Sequence, residues 1–166
     1  NGSGMGTLSQ WIAGQFDASL NWNDVAWIRK KWPGKLILKG ILDPEDAVQA
    51  LKSGVDAIIV SNHGGRQLDG APSAIEALPA IIDAVGSDVE ILFDSGIRSG
   101  QDVLKALALG AKGTFIGKAF LYGLGAMGKP GVLKVLEIIK NELDVSMALT
   151  GTKNVSDIGP QVLWKK

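Results

Sequence analysis

The stretch Ile58-Ile59-Val60-Ser61-Asn62-His63-Gly64-Gly65-Arg66-Gln67-Leu68-Asp69 places the single histidine of this 166-residue chain directly after a run of β-branched residues. A short apolar run that ends abruptly in glycines and polar groups is typical of a strand that is buried on both faces and opens into a loop. In a parallel α/β sheet, binding and catalytic sites form at the carboxyl ends of the strands. The stretch therefore predicts a strand at Ala57–Val60 with a functional loop directly after it.

His63 and Arg66 give this loop two side chains suited to an organic acid. Histidine takes and returns a proton near neutral pH, and the planar guanidinium of Arg66 suits a carboxylate or a phosphate. Gly64 and Gly65, which lie between them, let a ligand approach the backbone closely. The alternative is a glycine-rich turn that holds a polar pair without a function, and these residues alone leave both interpretations open.

The composition limits the classes of partner. The chain has 46% hydrophobic and 20% charged residues, and its formal net charge is zero. These values are ordinary for one globular domain, and the lack of a basic field argues against a nucleic-acid partner. Because the chain has no cysteine and one histidine, disulfides, thiolate metal sites and imidazole-rich metal sites are excluded, and we predict no metal. No apolar run approaches the roughly 20 residues of a membrane-spanning helix.

Strand and helix signals alternate along the chain. The predicted strands are Lys35–Leu38, Ala57–Val60, Glu90–Phe93 and Thr114–Ile116, each followed by a helical pattern. This alternation indicates parallel βα units, and the fold class is α/β. Four such units make half of a (β/α)8 barrel, which typically takes about 250 residues. We therefore predict a half-barrel in residues 21–166, a loop or linker in residues 1–20, and a missing other half.

Several signals predict where the helices begin and how they are interrupted. Asp43 should cap a helix that has Pro44 at its first position. Ser73–Glu76 and Ser99–Asp102 have the spacing of capping boxes. Pro79 should kink or restart the helix that follows Ser73. The last long helix is predicted from about Gly131 to Met147, and Trp164 is a candidate anchor for the tail.

If the strands are parallel and adjacent, their carboxyl ends form one polar rim. The rim residues are Lys39, Ser61, His63, Gly64, Arg66, Asp94, Gly96, Arg98, Gly117 and Lys118. The turns that contain Arg98 and Lys118 each combine a cation, glycine and free backbone N–H groups beside a helix start, which suits a phosphate. The alternative for each turn alone is ordinary helix capping, and for Lys39 a solvated strand end.

Four segments together resemble the FMN-dependent 2-hydroxy acid dehydrogenases and oxidases. They are Ser61–Asp69, Leu38–Gly40, Asp94–Arg98 and Gly117-Lys118, and the resemblance runs from about Trp22 to Gly151. It implies a (β/α)8 barrel of which this chain supplies the second half, strands five to eight. Residues 43–47 and 149–151 look most like the lactate-oxidising branch of the family, followed by the mandelate-oxidising branch.

The resemblance implies an activity and a role for each rim residue. The activity is the FMN-dependent oxidation of a small L-2-hydroxy acid such as lactate to the 2-keto acid. His63 would be the base and also contact the substrate, whereas Arg66 would bind the substrate carboxylate. The residues implied to bind FMN are Lys39 near the flavin N1 and O2, Ser61 and Gly64 beside the flavin, Asp94 at the ribityl chain, and Gly96, Arg98, Gly117 and Lys118 at the phosphate. The family usually has arginine at the position of Lys118. A different possibility is a catalytically silent half-barrel that binds FMN or phosphate and needs its N-terminal half.

The resemblance also implies partners and a location. The partners are the 2-hydroxy acid, a polypeptide that supplies the N-terminal half-barrel, and further copies of the complete barrel in a homo-oligomer. The location would be cytoplasmic, with peripheral contact at the inner face of the membrane, because residues 1–20 match a variable loop that meets the membrane in some family members. Trp11, Ile12 and Phe16 would permit that contact, although we expect them to pack into the core.

Overall fold

A computed structural model describes residues 10–164 of the chain. In chain order the elements are α1 (Trp22–Lys31), β1 (Ile37–Ile41), α2 (Pro44–Lys52), β2 (Ala57–Val60), α3 (Ala74–Val85), β3 (Glu90–Phe93), α4 (Gly100–Ala108), β4 (Gly113–Thr114), α5 (Lys118–Met127) and α6 (Lys129–Leu149). Short 3-10 turns occupy His63–Gly65, Val155–Asp157 and Pro160–Val162, and residues 10–13 are helical. Residues 1–9 of the predicted linker and residues 165–166 lie outside the described part.

The four strands form one parallel sheet in the order β1-β2-β3-β4. Because each strand pairs with the next one along the chain, every carboxyl end lies at the same edge of the sheet. The pairing register joins Ile37 to Ala57, Ile58 to Ile91 and Phe93 to Thr114. The predicted succession of parallel βα units is therefore confirmed.

Two strand boundaries differ from the prediction. β1 begins at Ile37 and includes Lys39, whereas the prediction ended the strand at Leu38. The pairing register with β2 shifts between Lys39 and Ile41, at Gly40, which has a φ of 99°. This irregularity lets the strand extend to Ile41, and an apolar sequence pattern does not reveal it. β4 is restricted to Gly113–Thr114, although the N–H of the next residue still bonds to the carbonyl of Phe93 at 2.9 Å.

The helices cover one face of the sheet and leave the other partly open. Ile58, Val60, Ile91 and Phe93 alternate along the central strands, and all are buried against helix residues such as Leu78. The side chains between them in the sequence point to the opposite face. Among these, Ile37 is exposed, and Ile59 and Leu92 are half-buried. A parallel strand buried on one face and half-covered on the other needs a further layer to close its core.

Helix capping agrees with the sequence in two of the predicted places. Asp43 accepts a hydrogen bond from the N–H of Glu45 at 2.7 Å, with Pro44 in the first turn of α2. In the Ser99–Asp102 capping box, the Asp102 carboxylate accepts from the N–H of Ser99 at 3.0 Å, and the Ser99 hydroxyl accepts from the N–H of Asp102 at 3.2 Å. The helices α2 and α4 are therefore capped at their first turns.

The predicted capping box at Ser73 and the predicted restart of the helix at Pro79 do not occur. The hydroxyl of Ser73 donates to the carboxylate of Glu76 at 2.6 Å and makes no bond to a backbone N–H, so the side chains satisfy each other and no capping box forms. α3 also continues through Pro79 without restarting. Leu78 and Ile81 on either side of the proline are completely buried, and this packing holds the helix together despite the missing N–H.

Close helix contacts hold α6 against the elements that precede it. A Cβ atom on Gly100 would lie 2.0 Å from the backbone N of Leu143, and one on Gly131 would lie 1.9 Å from the carbonyl oxygen of Gly123. The N–H of Gly100 also donates to the carboxylate of Glu142 at 2.9 Å. α6 thus packs against the beginning of α4 and the middle of α5, which are the helices that follow the last two strands.

The aromatic residues near the two ends do not pack as predicted. Trp11 and Phe16 are 63% and 68% exposed, so the expected core packing of this segment is wrong. Trp164 is 91% exposed and does not anchor the tail. Within residues 10–164, no helix combines the length and the apolar character needed to cross a bilayer.

An ion-pair cluster ties α1 to the amino ends of β1 and β2. Asp56 accepts from Arg29 Nη1 at 3.0 Å, from Lys35 Nζ at 2.7 Å and from the N–H of Leu36 at 2.9 Å. The hydrogen bond from Lys35, followed by that from the Leu36 backbone, lowers the pKa of Asp56 to about 2. Folding therefore stabilises the ionised form of the Asp56 carboxyl group relative to its protonated form.

We expect Asp56 to contribute to the acid sensitivity of the fold. Since its folded pKa is below its unfolded pKa, the contribution is complete above about pH 4 and disappears as the pH falls toward 2. Asp56→Asn should therefore flatten the loss of stability across this window, and Asp88→Asn in the exposed turn before β3 is the control. Urea unfolding at a series of pH values measures the free energy of unfolding of each variant. If this free energy falls as steeply with pH in Asp56→Asn as in the parent, the expectation is contradicted.

Candidate active site

The carboxyl ends of the strands surround a cleft of about 540 Å³. Of the predicted rim residues, its walls contain Lys39, His63, Gly64, Arg66, Asp94, Gly96, Arg98, Gly117 and Lys118. They come from the end of β1 and from three βα turns, so the parallel sheet brings together side chains that are up to about half the chain apart in sequence. Ser61 is the predicted site residue that does not reach the cleft wall.

Ser61 lies directly behind the wall and supports two residues in front of it. Its side chain is buried, and its hydroxyl oxygen accepts from Lys39 Nζ at 2.8 Å and from the N–H of His63 at 3.1 Å. The sequence predicted a residue beside the flavin at this position. The structure makes it a connection between β1 and the His63 loop.

Lys39 and Asp94 form an ion pair on the floor of the cleft. Lys39 Nζ lies 2.8 Å from Asp94 Oδ2, and the side chains are 45% and 17% exposed. Burial raises the pKa of Asp94, but hydrogen bonds from Lys39, Ser61 and Ser95 outweigh it and hold this pKa below its ordinary value. Asp94 is therefore ionised at neutral pH and partly neutralises the charge of Lys39, while Lys39 keeps a side facing the cleft.

The His63 loop has an uncommon backbone conformation. His63, Gly64 and Gly65 have φ values of 56°, 67° and 72°, all in the left-handed region. This region is unfavourable for a residue with a Cβ atom, and such residues cluster at functional sites. The bend directs the exposed side chain of His63 to the cleft, where Arg66 also lies.

Sequence reasoning missed Asn62 and Ser95 as parts of this loop. Asn62 Oδ1 accepts from the N–H of Gly64 at 2.9 Å and so caps the short turn. The hydroxyl oxygen of Ser95 accepts from the N–H groups of Asn62 and Gly64 at 3.2 and 3.1 Å. Asn62 could have been predicted, because asparagine is a common capping residue and two glycines follow shortly after it. Ser95 could not, because no local sequence pattern connects it with a loop more than 30 residues earlier.

The two turns predicted to bind phosphate differ. At the start of α4, Asp102 already accepts from the N–H groups of Arg98 and Ser99, and Glu142 accepts from that of Gly100. The expectation of free backbone donors was therefore wrong at these three positions. Gly96 has a φ of 91° and open space where a Cβ would stand, so the backbone just before them remains accessible.

The start of α5 keeps the features expected of an anion site. The N-terminal residue of α5 is preceded by Gly117, no side chain caps the helix, and the space beside Gly117 is open. Lys118 Nζ donates to the carbonyl oxygen of Gly64 at 3.1 Å and thus lies between this turn and the His63 loop. Arg98 is exposed at the same wall. Two cations and an uncapped helix start therefore converge at one end of the cleft.

Comparison with known proteins identifies the family. A family model described as FMN-dependent dehydrogenase matches residues 1–165. The L-lactate dehydrogenase of Pectobacterium atrosepticum is 57% identical over 148 residues, which are 89% of this chain and 38% of that protein. The L-lactate dehydrogenase of Caulobacter vibrioides is 51% identical over 164 residues, which are 99% of this chain and 43% of that protein.

A solved structure confirms the architecture. The crystal structure of (S)-mandelate dehydrogenase, described as a monotopic membrane protein, matches with a TM-score of 0.90 and 41% identity over 99% of this chain and 43% of that chain. The chain therefore belongs to the FMN-dependent dehydrogenase family, and the predicted half of a (β/α)8 barrel is confirmed. It spans about two fifths of the length of the curated relatives it matches.

The left-handed turn after His63 gives a direct test of the loop. Gly65 and Gly70 both have open space where a Cβ would stand, but only Gly65 has a positive φ, of 72°. Gly65→Ala should therefore destabilise the fold by about 1 to 2 kcal/mol. Gly70→Ala should be neutral or stabilise by up to about 1 kcal/mol because it restricts the unfolded chain. The midpoints of urea denaturation of the two variants measure this difference in stability. Equal midpoints would contradict the left-handed conformation of Gly65.

Proposed function

We propose that this chain supplies the second half of an FMN-dependent barrel that oxidises a small L-2-hydroxy acid to the 2-keto acid, with L-lactate as the first candidate. The observation that carries the proposal is the convergence of His63, Arg66 and Lys39 with the cations Arg98 and Lys118 on one cleft. The identity of 57% to an L-lactate dehydrogenase supports lactate over larger acids.

The donor set of the cleft suits FMN. Arg98, Lys118 and the uncapped start of α5 supply positive charge for the phosphate. Gly96 and Gly117 leave room beside the backbone there, whereas a Cβ on Gly64, which we place beside the flavin, would lie 3.7 Å from Lys118 Nζ. The Asp94 carboxylate can accept hydrogen bonds from the ribityl hydroxyls, while Ser61 supports Lys39 from behind. The lysine at 118 keeps the charge of the usual arginine but cannot form a bidentate contact.

His63 and Arg66 carry the chemistry of the substrate in this proposal. Arg66 binds the substrate carboxylate through its planar fork, which fixes the position of the adjacent carbon. His63 removes the proton of the 2-hydroxyl group as general base. Bound FMN would supply the acceptor for a hydride equivalent, which is one hydrogen with two electrons, from the carbon that carries the hydroxyl group. Lys39 would hold its positive charge near the flavin N1 and O2.

The half-barrel needs a partner to exclude water from this chemistry. The open face of the sheet exposes Ile37, and the rim exposes Phe115 and Leu121 as large apolar side chains. β1 and β4 are also the two edges of the described sheet, and unpaired edges tend to acquire further strands. We therefore propose that an N-terminal half-barrel pairs with both edges, and that complete barrels associate as a homo-oligomer.

A location near a membrane fits the same proposal. Trp11, Phe16 and Leu20 are exposed in a segment that precedes α1. Exposed aromatic and aliphatic side chains can insert into the interfacial layer of a bilayer without crossing it. The (S)-mandelate dehydrogenase to which the chain is similar is described as a monotopic membrane protein. We propose a cytoplasmic enzyme that contacts the inner face of the membrane peripherally through this segment.

A second candidate function is a half-barrel that binds FMN or phosphate without catalysis. Two observations favour it. The chain covers only 38% to 43% of the length of the relatives, and the proposed phosphate cations Arg98 and Lys118 both belong to this chain. Anaerobic mixing of the FMN-loaded protein with L-lactate separates the two functions, because oxidation of the acid bleaches the flavin band. An unchanged spectrum with both lactate and mandelate, in a barrel completed by its N-terminal half, would leave the binding function.

Association with the N-terminal half is the first testable consequence. We expect the 166-residue chain to form a one-to-one complex with the N-terminal half of an L-lactate dehydrogenase relative, because the complex covers the open face and both edges. Sedimentation velocity measures the complex. Phe115→Lys should weaken it, whereas Lys140→Ala, an exposed residue of α6 away from the sheet edges, should not. A chain that remains a compact monomer in the mixture would contradict the proposal.

The cofactor and substrate roles predict different defects in the completed barrel. Arg98→Ala should weaken FMN binding by about tenfold to a hundredfold, since a charge-assisted hydrogen bond contributes roughly 1.5 to 3 kcal/mol. His63→Ala should retain FMN and lose about 10² to 10⁴-fold in the rate of flavin reduction. Quenching of FMN fluorescence and anaerobic stopped-flow bleaching measure the two effects.

Lys112→Ala serves as the control cation for both measurements, because it lies outside the cleft. If His63→Ala loses FMN as strongly as Arg98→Ala, or reduces it at the parent rate, the role of His63 as the base is wrong.

A further inference from the structure

The hydroxyl group of Ser95 makes contacts that the proposed chemistry does not use. Its oxygen accepts from the N–H of Asn62 at 3.2 Å and from the N–H of Gly64 at 3.1 Å, and it donates to Asp94 Oδ1 at 2.8 Å. A serine hydroxyl has one donor hydrogen and two acceptor lone pairs. These three bonds use all of them, and the Ser61 hydroxyl oxygen lies 3.5 Å from that of Ser95, so the hydroxyl has no remaining capacity for a substrate or a cofactor.

The backbone of Ser95 adds a second observation. Its φ is 79°, and His63 is the other non-glycine residue with a positive φ in the part of the chain that the structure describes. Glycine adopts this conformation without steric strain, whereas serine does not. A side chain that is retained at a strained position is expected to make contacts that outweigh the strain. Here those contacts are the three hydrogen bonds of the hydroxyl.

The bonds fix the backbone on both sides of His63. Ser95 accepts from the N–H groups that precede and follow the histidine, and Ser61 accepts from the N–H of His63 itself. Three consecutive backbone donors thus converge on two serine hydroxyls. Ser61 and Ser95 are in turn attached to the Lys39–Asp94 pair, through Lys39 Nζ at 2.8 Å and Asp94 Oδ1 at 2.8 Å.

We propose that Ser95 is a positioning residue that holds the His63 loop in its left-handed conformation and thereby sets the place of the imidazole relative to the substrate hydroxyl. The catalytic part of this inference rests on the proposed function. The loop-holding part rests on the hydrogen bonds and the φ values alone. A displacement of about 1 Å at a reacting group can lower a rate by roughly a hundredfold, so the position of the loop matters for a base.

Two substitutions separate positioning from ordinary structural support. Ser95→Ala and Ser95→Gly both remove the hydroxyl, but only glycine also removes the backbone strain. Ser95→Gly should therefore unfold at a higher urea concentration than Ser95→Ala, although both should lose activity to the same degree. A residue needed only for stability would instead give the larger activity loss in the less stable variant.

Ser53→Ala is the matched control. Ser53 follows α2 and is not part of the cleft wall, and its hydroxyl donates to the carbonyl oxygen of Gln49 at 2.9 Å. We expect Ser53→Ala to leave the exchange rates and the kinetics of the parent unchanged.

Amide hydrogen exchange in the ¹⁵N-labelled 166-residue chain tests the loop without substrate or cofactor. Both Ser95 variants should raise the exchange rate of the Asn62 amide by roughly tenfold, because they remove its acceptor. In the completed, FMN-loaded barrel, kcat for the 2-hydroxy acid should fall about tenfold to a hundredfold, while KM and the FMN dissociation constant change less than about threefold.

The outcomes distinguish the inference from the function on which it rests. If the parent barrel bleaches with neither lactate nor mandelate, the proposed function fails, and the Asn62 exchange rate still decides whether Ser95 holds the loop. Unchanged exchange in both variants overturns the inference. A parent-like kcat in Ser95→Gly, or a loss confined to KM or to FMN affinity, overturns the positioning role.

Discussion

The ion pair between Lys39 and Asp94 joins the carboxyl ends of β1 and β3 across β2, and the polar floor of the cleft depends on it. Ser61 from β2 bonds to the lysine, and Ser95 after β3 bonds to the carboxylate. Because the pair is only partly exposed, its attraction is screened less than that of a surface pair. The His63 loop then rests on the two serines. The charge pair, the serines and the histidine backbone therefore form one connected polar structure, in which a change at one residue displaces the others.

The sheet could be predicted because burial determines its pattern. The apolar run Ile58–Val60 and the alternation of strands and helices are consequences of covering one face of a parallel sheet, and they indicated the number, order and direction of the strands. The predictions were less accurate where a local backbone rule competes with burial or acts without it. Gly40 shifts the register of β1 through its backbone conformation, which has no signature in hydrophobic periodicity. Pro79 remains inside α3 because the burial of Leu78 and Ile81 outweighs the helix-breaking tendency of proline.

The sequence indicated which residues meet in the cleft but not which of their donors remain free. Strand order alone brings Lys39, His63 and Arg98 to one rim. Whether an N–H can bind a ligand depends on partners far along the chain, as when Glu142 of α6 occupies the N–H of Gly100. The same limitation concealed Ser95, whose bonds to the His63 loop connect residues more than 30 positions apart. Composition and spacing identify candidate donors, whereas their saturation is a property of the tertiary structure.

The cleft holds the backbone of His63 more firmly than its side chain. Three neighbouring N–H groups are fixed by the serines, but among residues 10–164 no side chain forms a hydrogen bond with the imidazole ring. A catalytic histidine needs a second group on the opposite ring nitrogen to select its tautomer and orientation. If His63 is the base, as proposed, the described half-barrel sets where the base is placed, and the group that orients the ring would lie outside residues 10–164. Under the proposed function, this division is the reason why the cofactor charges and the base can lie in one half although turnover would require both.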